Sequence, residues 1–326
     1  MNNWMTSAKW GVMTHFLDKP ASSPDASATS LDEWNRMVDG FDAAACAEDV
    51  ASCGAGYAIF TLGQNTGHYC APNAAYADLV GSISRCSERD LLWDLAVELR
   101  KRGVRTIAYL PSHAPAMENE AVRRLKCTPP WDPGQWGLKF ESYSQSEWAD
   151  ERLSEFQRKW EAVVREWSLR WGELVSGWWI DGCYYWEKMY VRDDDGPGFA
   201  SFAAALKAGN PESLIAFNSG TKDALKVLPP HQDYTAGEIA SDFHCPYLYK
   251  ALEPSMPGKT LHLLSFLGTW WGFGEPRFPD AFAAGYTQVV NQAGGAMTWD
   301  VPVERSGRLA EPMRPQLATI GEAAGR

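Results

Sequence analysis

The chain has 326 residues, of which 45% are apolar and 22% charged, a balance that can fill a large core and excludes wholesale disorder. Its net charge of −11 argues against nucleic acid or an anionic membrane surface as partner, since both need basic patches. No run of about 18 uncharged apolar residues occurs, so no membrane-spanning helix is expected.

The first ten residues lack both the basic stretch and the apolar stretch of a secretory leader. Cys46, Cys53, Cys70, Cys86, Cys127, Cys183 and Cys245 form no C-x-x-C pair, so neither a zinc site nor a redox motif is expected. Free thiols in a cytoplasmic protein follow from that set. The 16 tryptophans are unusual. Core filling is the first expectation for any one of them, and stacking on sugar rings is the second, for those at strand ends or in loops.

In chain order, residues 10–16 (Trp-Gly-Val-Met-Thr-His-Phe) read as a first strand. Asp42 caps a small-residue helix running to about Ser52, and residues 54–56, Gly-Ala-Gly, stop it. Residues 57–61 form strand two. Residues 87–90 (Ser-Glu-Arg-Asp) predict a capping box, opening a helix whose Leu91, Leu92, Leu95 and Leu99 share one side. Gly103 ends it, and residues 104–110 give strand three. The clearest helix starts at Ser144 and places Leu153, Phe156, Trp160, Val163, Val164, Trp167 and Trp171 at steps of three and four.

Residues 177–182 (Gly-Trp-Trp-Ile-Asp-Gly) read as strand four with an abrupt glycine turn. Residues 214–218, 233–238, 261–264 and 296–300 give strands five to eight, and a helix near 313–323 closes the ring. Residues 18–40 and 111–145 read as long loops. Eight strands alternating with helices fit a (β/α)₈ TIM barrel, and no linker is long enough to divide the chain. Residues 1–326 are therefore expected to be one catalytic domain.

In such barrels the active site lies at the C-terminal strand ends. The polar residues there are His15, Thr61, Gln64, Asn65, His113, Asp181, Asn218, Glu238, His262 and Asp300. A carboxylate set among Trp178, Trp179 and Gly182 is costly to bury without purpose, although an aspartate there could also cap the next helix. Cleaving a glycosidic bond needs two carboxyl groups, one to attack or activate water and one to protonate the leaving oxygen. Asp181 can supply the first. Glu238 is the partner two strands further on, and Tyr234 nearby is expected to help raise its pKa; a solvated loop salt link is the plainer alternative. Asp300 and Glu275 are rivals for the acid role. Glu275 follows residues 270–274 (Trp-Trp-Gly-Phe-Gly), an aromatic loop suited to a sugar platform, and Glu187 is expected on a helix.

Residues 9–15 (Lys-Trp-Gly-Val-Met-Thr-His) resemble the first-strand motif of the α-L-fucosidases of glycoside hydrolase family 29. Residues 41–43 leading to 54–61 are similar to that family's next segment, and residues 178–182 to its nucleophile strand, where the aspartate is the covalent catalyst. Residues 214–218, 233–235 and 271–273 match its later segments, so the likeness spans roughly 4–300. It implies retaining exo-hydrolysis of a terminal sugar, without a cofactor or metal, with Asp181 as nucleophile.

The family's paired histidines that grip fucose fall here on Gln64 and Asn65, and a commonly used acid/base glutamate falls on His262. The C-terminal β-sandwich of typical members is not expected here. The resemblance further implies a sugar pocket lined by His15, Gln64, Asn65, His113, Trp178 and Trp271, with His262 touching substrate or orienting the acid. The amides change the donors and acceptors offered, which suits a sugar other than fucose as well. A catalytically silent carbohydrate-binding barrel, or other chemistry on the same scaffold, are the rival expectations.

Overall fold

A computed structural model describes residues 4–19, 29–127, 153–183, 196–221, 225, 227, 231–240, 243, 245 and 258–325. Strands β1 (Trp10–Thr14), β2 (Tyr57–Thr61), β5 (Arg105–Pro111), β6 (Val175–Asp181), β7 (Leu214–Phe217), β8 (His262–Phe266) and β9 (Ala296–Asp300) form one curled, wholly parallel sheet. Its order is β7-β6-β5-β2-β1-β9-β8. A two-stranded parallel sheet, β3 (His68–Tyr69) with β4 (Arg85–Cys86), is inserted after β2.

The expected sixth strand is not a regular one. Residues 233–239 instead run between the two edge strands with single parallel bridges, Tyr234 to Thr260 and Glu238 to Leu264. Asp233 N–H donates to the Ile215 carbonyl (2.7 Å), and Leu264 N–H to that of Gly237 (2.8 Å). The Asp233 carboxylate accepts from Ile215 N–H at 3.0 Å, a side chain standing in for a ladder carbonyl. Gly237, at φ +69°, breaks the pleat that a continuous strand would need.

Two apolar layers follow from the period-two alternation of the strands. One lies inside the curl: Met13, Ile59, Ile107, Tyr109, Trp179, Ala216, Tyr234 and Leu264, closed below by Met5 and Ala8 of helix α1 (Trp4–Ala8). The other lies between sheet and helices, where Trp160, Trp167 and Trp171 of the helix Ser154–Trp171 meet Trp178. The helix predicted from Ser144 thus has its apolar stripe as expected, and residues 144–152 lie outside the described ones. Trp10, Trp34 and Trp299 are also core.

Asp42 does cap its helix, accepting from Ala45 N–H. The cap at 87–90 is shifted: Asp90, not Ser87, accepts from Trp93 N–H, and it also takes the Trp171 indole N–H at 3.0 Å. Helix Leu31–Asp39 lies in what reads as a loop, held by a capping box between Ser30 and Glu33. None of the seven cysteines is in a disulfide. Among the described residues no helix is long and apolar enough to cross a membrane.

Candidate active site

A cavity of about 320 Å³ opens at the C-terminal ends of the strands. Met13, His15, Gln64, Asn65, Tyr109, His113, Trp179, Asp181, Glu238, Leu264, Trp270 and Trp271 are in its wall. Asp181 ends β6 and points into it. Among the described residues, donors to its carboxylate include the Tyr109 hydroxyl on Oδ2 (2.5 Å), and Gly182 N–H (2.8 Å) and Asn218 Nδ2 (2.9 Å) on Oδ1. Gly182 turns the chain at φ +76°, and a Cβ there would stand 2.6 Å from His113 Cδ2, so the glycine is required twice over.

The Asn218 amide is shared. Its Nδ2 also donates to Glu238 Oε2 at 2.7 Å, while its Oδ1 accepts from Gly220 N–H at 3.0 Å, which fixes the way the amide faces. Two bonds of 2.9 and 2.7 Å from one nitrogen hold those oxygens of Asp181 and Glu238 no more than about 5.6 Å apart. Burial pushes the Glu238 carboxyl up to about 7, and the neighbouring Asp181 charge adds to the rise; the Asn218 hydrogen bond and the His15 charge oppose it.

His15 sits just past β1, its Nδ1 2.7 Å from Asp300 Oδ1, which leaves Nε2 as the nitrogen available to a ligand. Asp300 is fully buried, and its other oxygen accepts from Gly272 N–H at 2.5 Å. It therefore orients its neighbours from behind the cavity wall. His113 donates from Nδ1 to the Ala114 carbonyl (2.7 Å), and burial depresses its pKa to about 4, so it stays neutral near pH 7 with Nε2 an acceptor. Gln64 Nε2 donates to the Tyr109 hydroxyl (2.8 Å), linking a cavity amide to the Asp181 carboxylate. The side-chain oxygen of Asn65 is buried and bonded to no described residue.

Two expected pocket residues are placed elsewhere. Trp178 faces the outer layer and packs on Trp171 at 5.8 Å; Trp179 takes the cavity wall, stacked on Tyr109 at 5.4 Å. The alternation itself carries that answer: if Asp181 points inward, so does Trp179, and Trp178 cannot. His262 begins β8, two residues and about 6.6 Å below the cavity residue Leu264. It is wholly buried, bonded to the Thr235 carbonyl (3.0 Å) and to Thr298 Oγ1 (2.7 Å), and is not in the wall of this cavity. Glu275 is exposed and outside the cavity wall; Glu187 lies outside the described residues. Tyr109 is the residue that motif reading missed, although it shares the inward parity of β5 with Ile107 and Pro111.

Among the described residues no group of three or more metal-ligating side chains comes together. No family model matches the sequence, and no curated protein matches it. Solved structures do share the fold. One endo-fucoidan hydrolase of glycoside hydrolase family 107 superposes with a TM-score of 0.72 at 17% identity over 98% of this chain, which spans only 52% of that one. A second has a TM-score of 0.66 at 17% identity over 99% of this chain and 92% of its own. The unliganded α-L-fucosidase AlfC of Lactobacillus casei has a TM-score of 0.66 at 16% identity, covering 99% and 97% of the two chains. The fold is thus one shared with these glycoside hydrolases.

Proposed function

We propose that the chain is a retaining, exo-acting glycoside hydrolase of α-L-fucosidase type, a single (β/α)₈ domain in which residues 233–239 complete the ring. Asp181 attacks the anomeric carbon while Glu238 protonates the leaving oxygen. Glu238 then takes a proton from water, which displaces Asp181 from the covalent intermediate.

The observation that carries this reading is the shared Asn218 amide. It holds one oxygen of each carboxyl group within about 5.6 Å of the other, which favours the 5–5.5 Å carboxyl spacing of retaining enzymes over the roughly 6.5–9.5 Å of inverting ones. Burial beside Asp181 keeps Glu238 protonated until pH nears 7, as an acid catalyst requires. Because Glu238 already supplies a second carboxyl, His262 in the place of a family glutamate gives no support to a silent binding barrel.

The structural neighbours, an α-L-fucosidase and endo-fucoidan hydrolases, favour a fucosyl substrate. His15 Nε2, Gln64, Asn65 and His113 would hold its hydroxyls, with Trp179 and Trp271 against the ring. The amides at 64 and 65 favour testing other sugars beside it. The small cavity supports action on a terminal residue, and seven cysteines outside disulfides support a reducing, cytoplasmic setting.

A panel of aryl glycosides, α-L-fucoside included, tests the activity and names the sugar; no turnover of any would count against a hydrolase. Asp300→Asn separates the acid candidates. It is expected to lower kcat/KM by up to about 100-fold through loss of His15 placement while keeping the alkaline limb of the pH profile. Loss of that limb would return the acid role to Asp300.

A further inference from the structure

Six large apolar side chains are exposed among the described residues, and two of them, Trp270 (42%) and Phe273 (55%), belong to one four-residue turn. Single exposed apolar residues need no explanation, but two held in one turn, with Trp270 in the wall of the cavity, do. The turn is closed by Trp270 N–H to the Phe273 carbonyl (3.2 Å) and Phe273 N–H to the Trp270 carbonyl (3.1 Å). Gly272, at φ +64°, takes the position that demands a positive φ, and a Cβ there would come within 2.6 Å of His15 Cβ.

The turn is anchored from below. Phe266 touches Trp270 and Trp271 with ring centroids at 5.5 and 4.9 Å, and the Arg277 guanidinium lies 3.6 Å from the Phe266 centroid. Arg277 donates to the Phe266 carbonyl (3.0 Å) and to that of Ala240 (2.9 Å), two residues beyond Glu238. Asp300 holds Gly272 N–H with one oxygen and His15 with the other. The aromatic turn and the sugar-facing histidine are thus set in register by one carboxylate. Rings fixed in this way lose little further freedom when they bind.

We propose that Trp270 and Phe273 form the leaving-group subsite, and that it takes the C–H face of a neutral pyranose or of an aryl aglycone. This deepens the glycosidase reading and rests on it. Trp270 and Trp271 both line the cavity, so the platform continues outward from where the scissile bond would lie. Among the described lining residues the carboxyl groups are Asp181, which is ionised, and Glu238, and none is lysine or arginine, on a chain of net charge −11. A sulfated or carboxylated sugar would meet repulsion there, and a neutral ring would not.

The test compares Trp270→Ala and Phe273→Ala with wild type on three substrates of the sugar that wild type cleaves: a neutral disaccharide, its sulfated counterpart, and the glycosyl fluoride, which has no ring to stack. Each variant is expected to lose about tenfold in kcat/KM on the disaccharide, mostly through KM, and to match wild type within about twofold on the fluoride. Wild type is expected to prefer the neutral disaccharide. Equal losses on disaccharide and fluoride, or preference for the sulfated sugar, would overturn the assignment. If wild type cleaves no glycoside, the hydrolase reading fails by itself, and binding of neutral disaccharides by saturation-transfer NMR decides the subsite. Binding unchanged by Trp270→Ala overturns it; binding lost in that variant supports it.

Discussion

Asp181→Ala is expected to lower kcat/KM for the cleaved glycoside by roughly 10⁴-fold or more, since it removes the atom that forms the covalent bond. The strand should survive the change: Asp181 is the last residue of β6, and the donors it leaves, Tyr109, Gly182 and Asn218, face a cavity that water can enter. Azide fits the space vacated by the carboxylate and needs no deprotonation. With an aryl glycoside the variant should therefore regain turnover and form a glycosyl azide of inverted configuration, read by NMR. Wild-type rates in Asp181→Ala would remove Asp181 from the chemistry.

Glu238→Gln is the second large effect, a loss of roughly 10²- to 10⁴-fold on substrates whose leaving oxygen needs a proton. Glycosyl fluorides, whose leaving group needs little help, should be cleaved with far smaller loss in the first step. Wild-type activity should fall as pH rises through about 7, where Glu238 gives up its proton, and the variant should lack that limb. The Asp181 charge contributes to the raised value, so Asp181→Ala should move the limb of its azide reaction to lower pH.

The same shift couples to stability. Glu238 has a folded-state value of about 7 against an ordinary 4.5, so its protonated form stabilises the fold below about pH 4.5 and that contribution is lost as pH rises through 7. Glu238→Gln keeps an uncharged group there. Its Tm should match wild type at pH 4 and exceed it by a few degrees at pH 8. A Tm difference that does not change with pH would mean that Glu238 is not held protonated by the site.

Much of this arrangement is legible from the sequence because it depends on local pattern. The apolar stripe of Trp160, Val163, Val164, Trp167 and Trp171 has one helical solution, and the Asp42 cap has one use. Asp181 between an apolar strand and a glycine is placed by the strand's end alone. What fails is depth and facing. Trp178 and Trp179 look alike in composition, and only the alternation anchored on Asp181 separates them. His262 lies at the first residue of its strand, while a motif read by order alone carries it to the mouth.

Asp300 is placed correctly at a strand end, yet its role rests on Gly272 and His15, 28 and 285 residues away, a pairing no local pattern encodes. The irregular path of 233–239 is hidden for a related reason. Gly237 reads as one small residue, whereas its positive φ and the Asp233 side chain reroute the ladder. The helix at Leu31–Asp39 did carry a signal, the Ser30–Glu33 capping box, overshadowed by the polar stretch before it.

The most direct test of the central claim is to incubate wild type with an activated 2-deoxy-2-fluoro glycoside of the sugar that it cleaves, and to map the labelled peptide by mass spectrometry. The account predicts a glycosyl-enzyme of increased mass with the ester on Asp181, formed more slowly in Glu238→Gln unless the leaving group needs no proton. An adduct on any other residue, or turnover with inversion and no adduct, would contradict it.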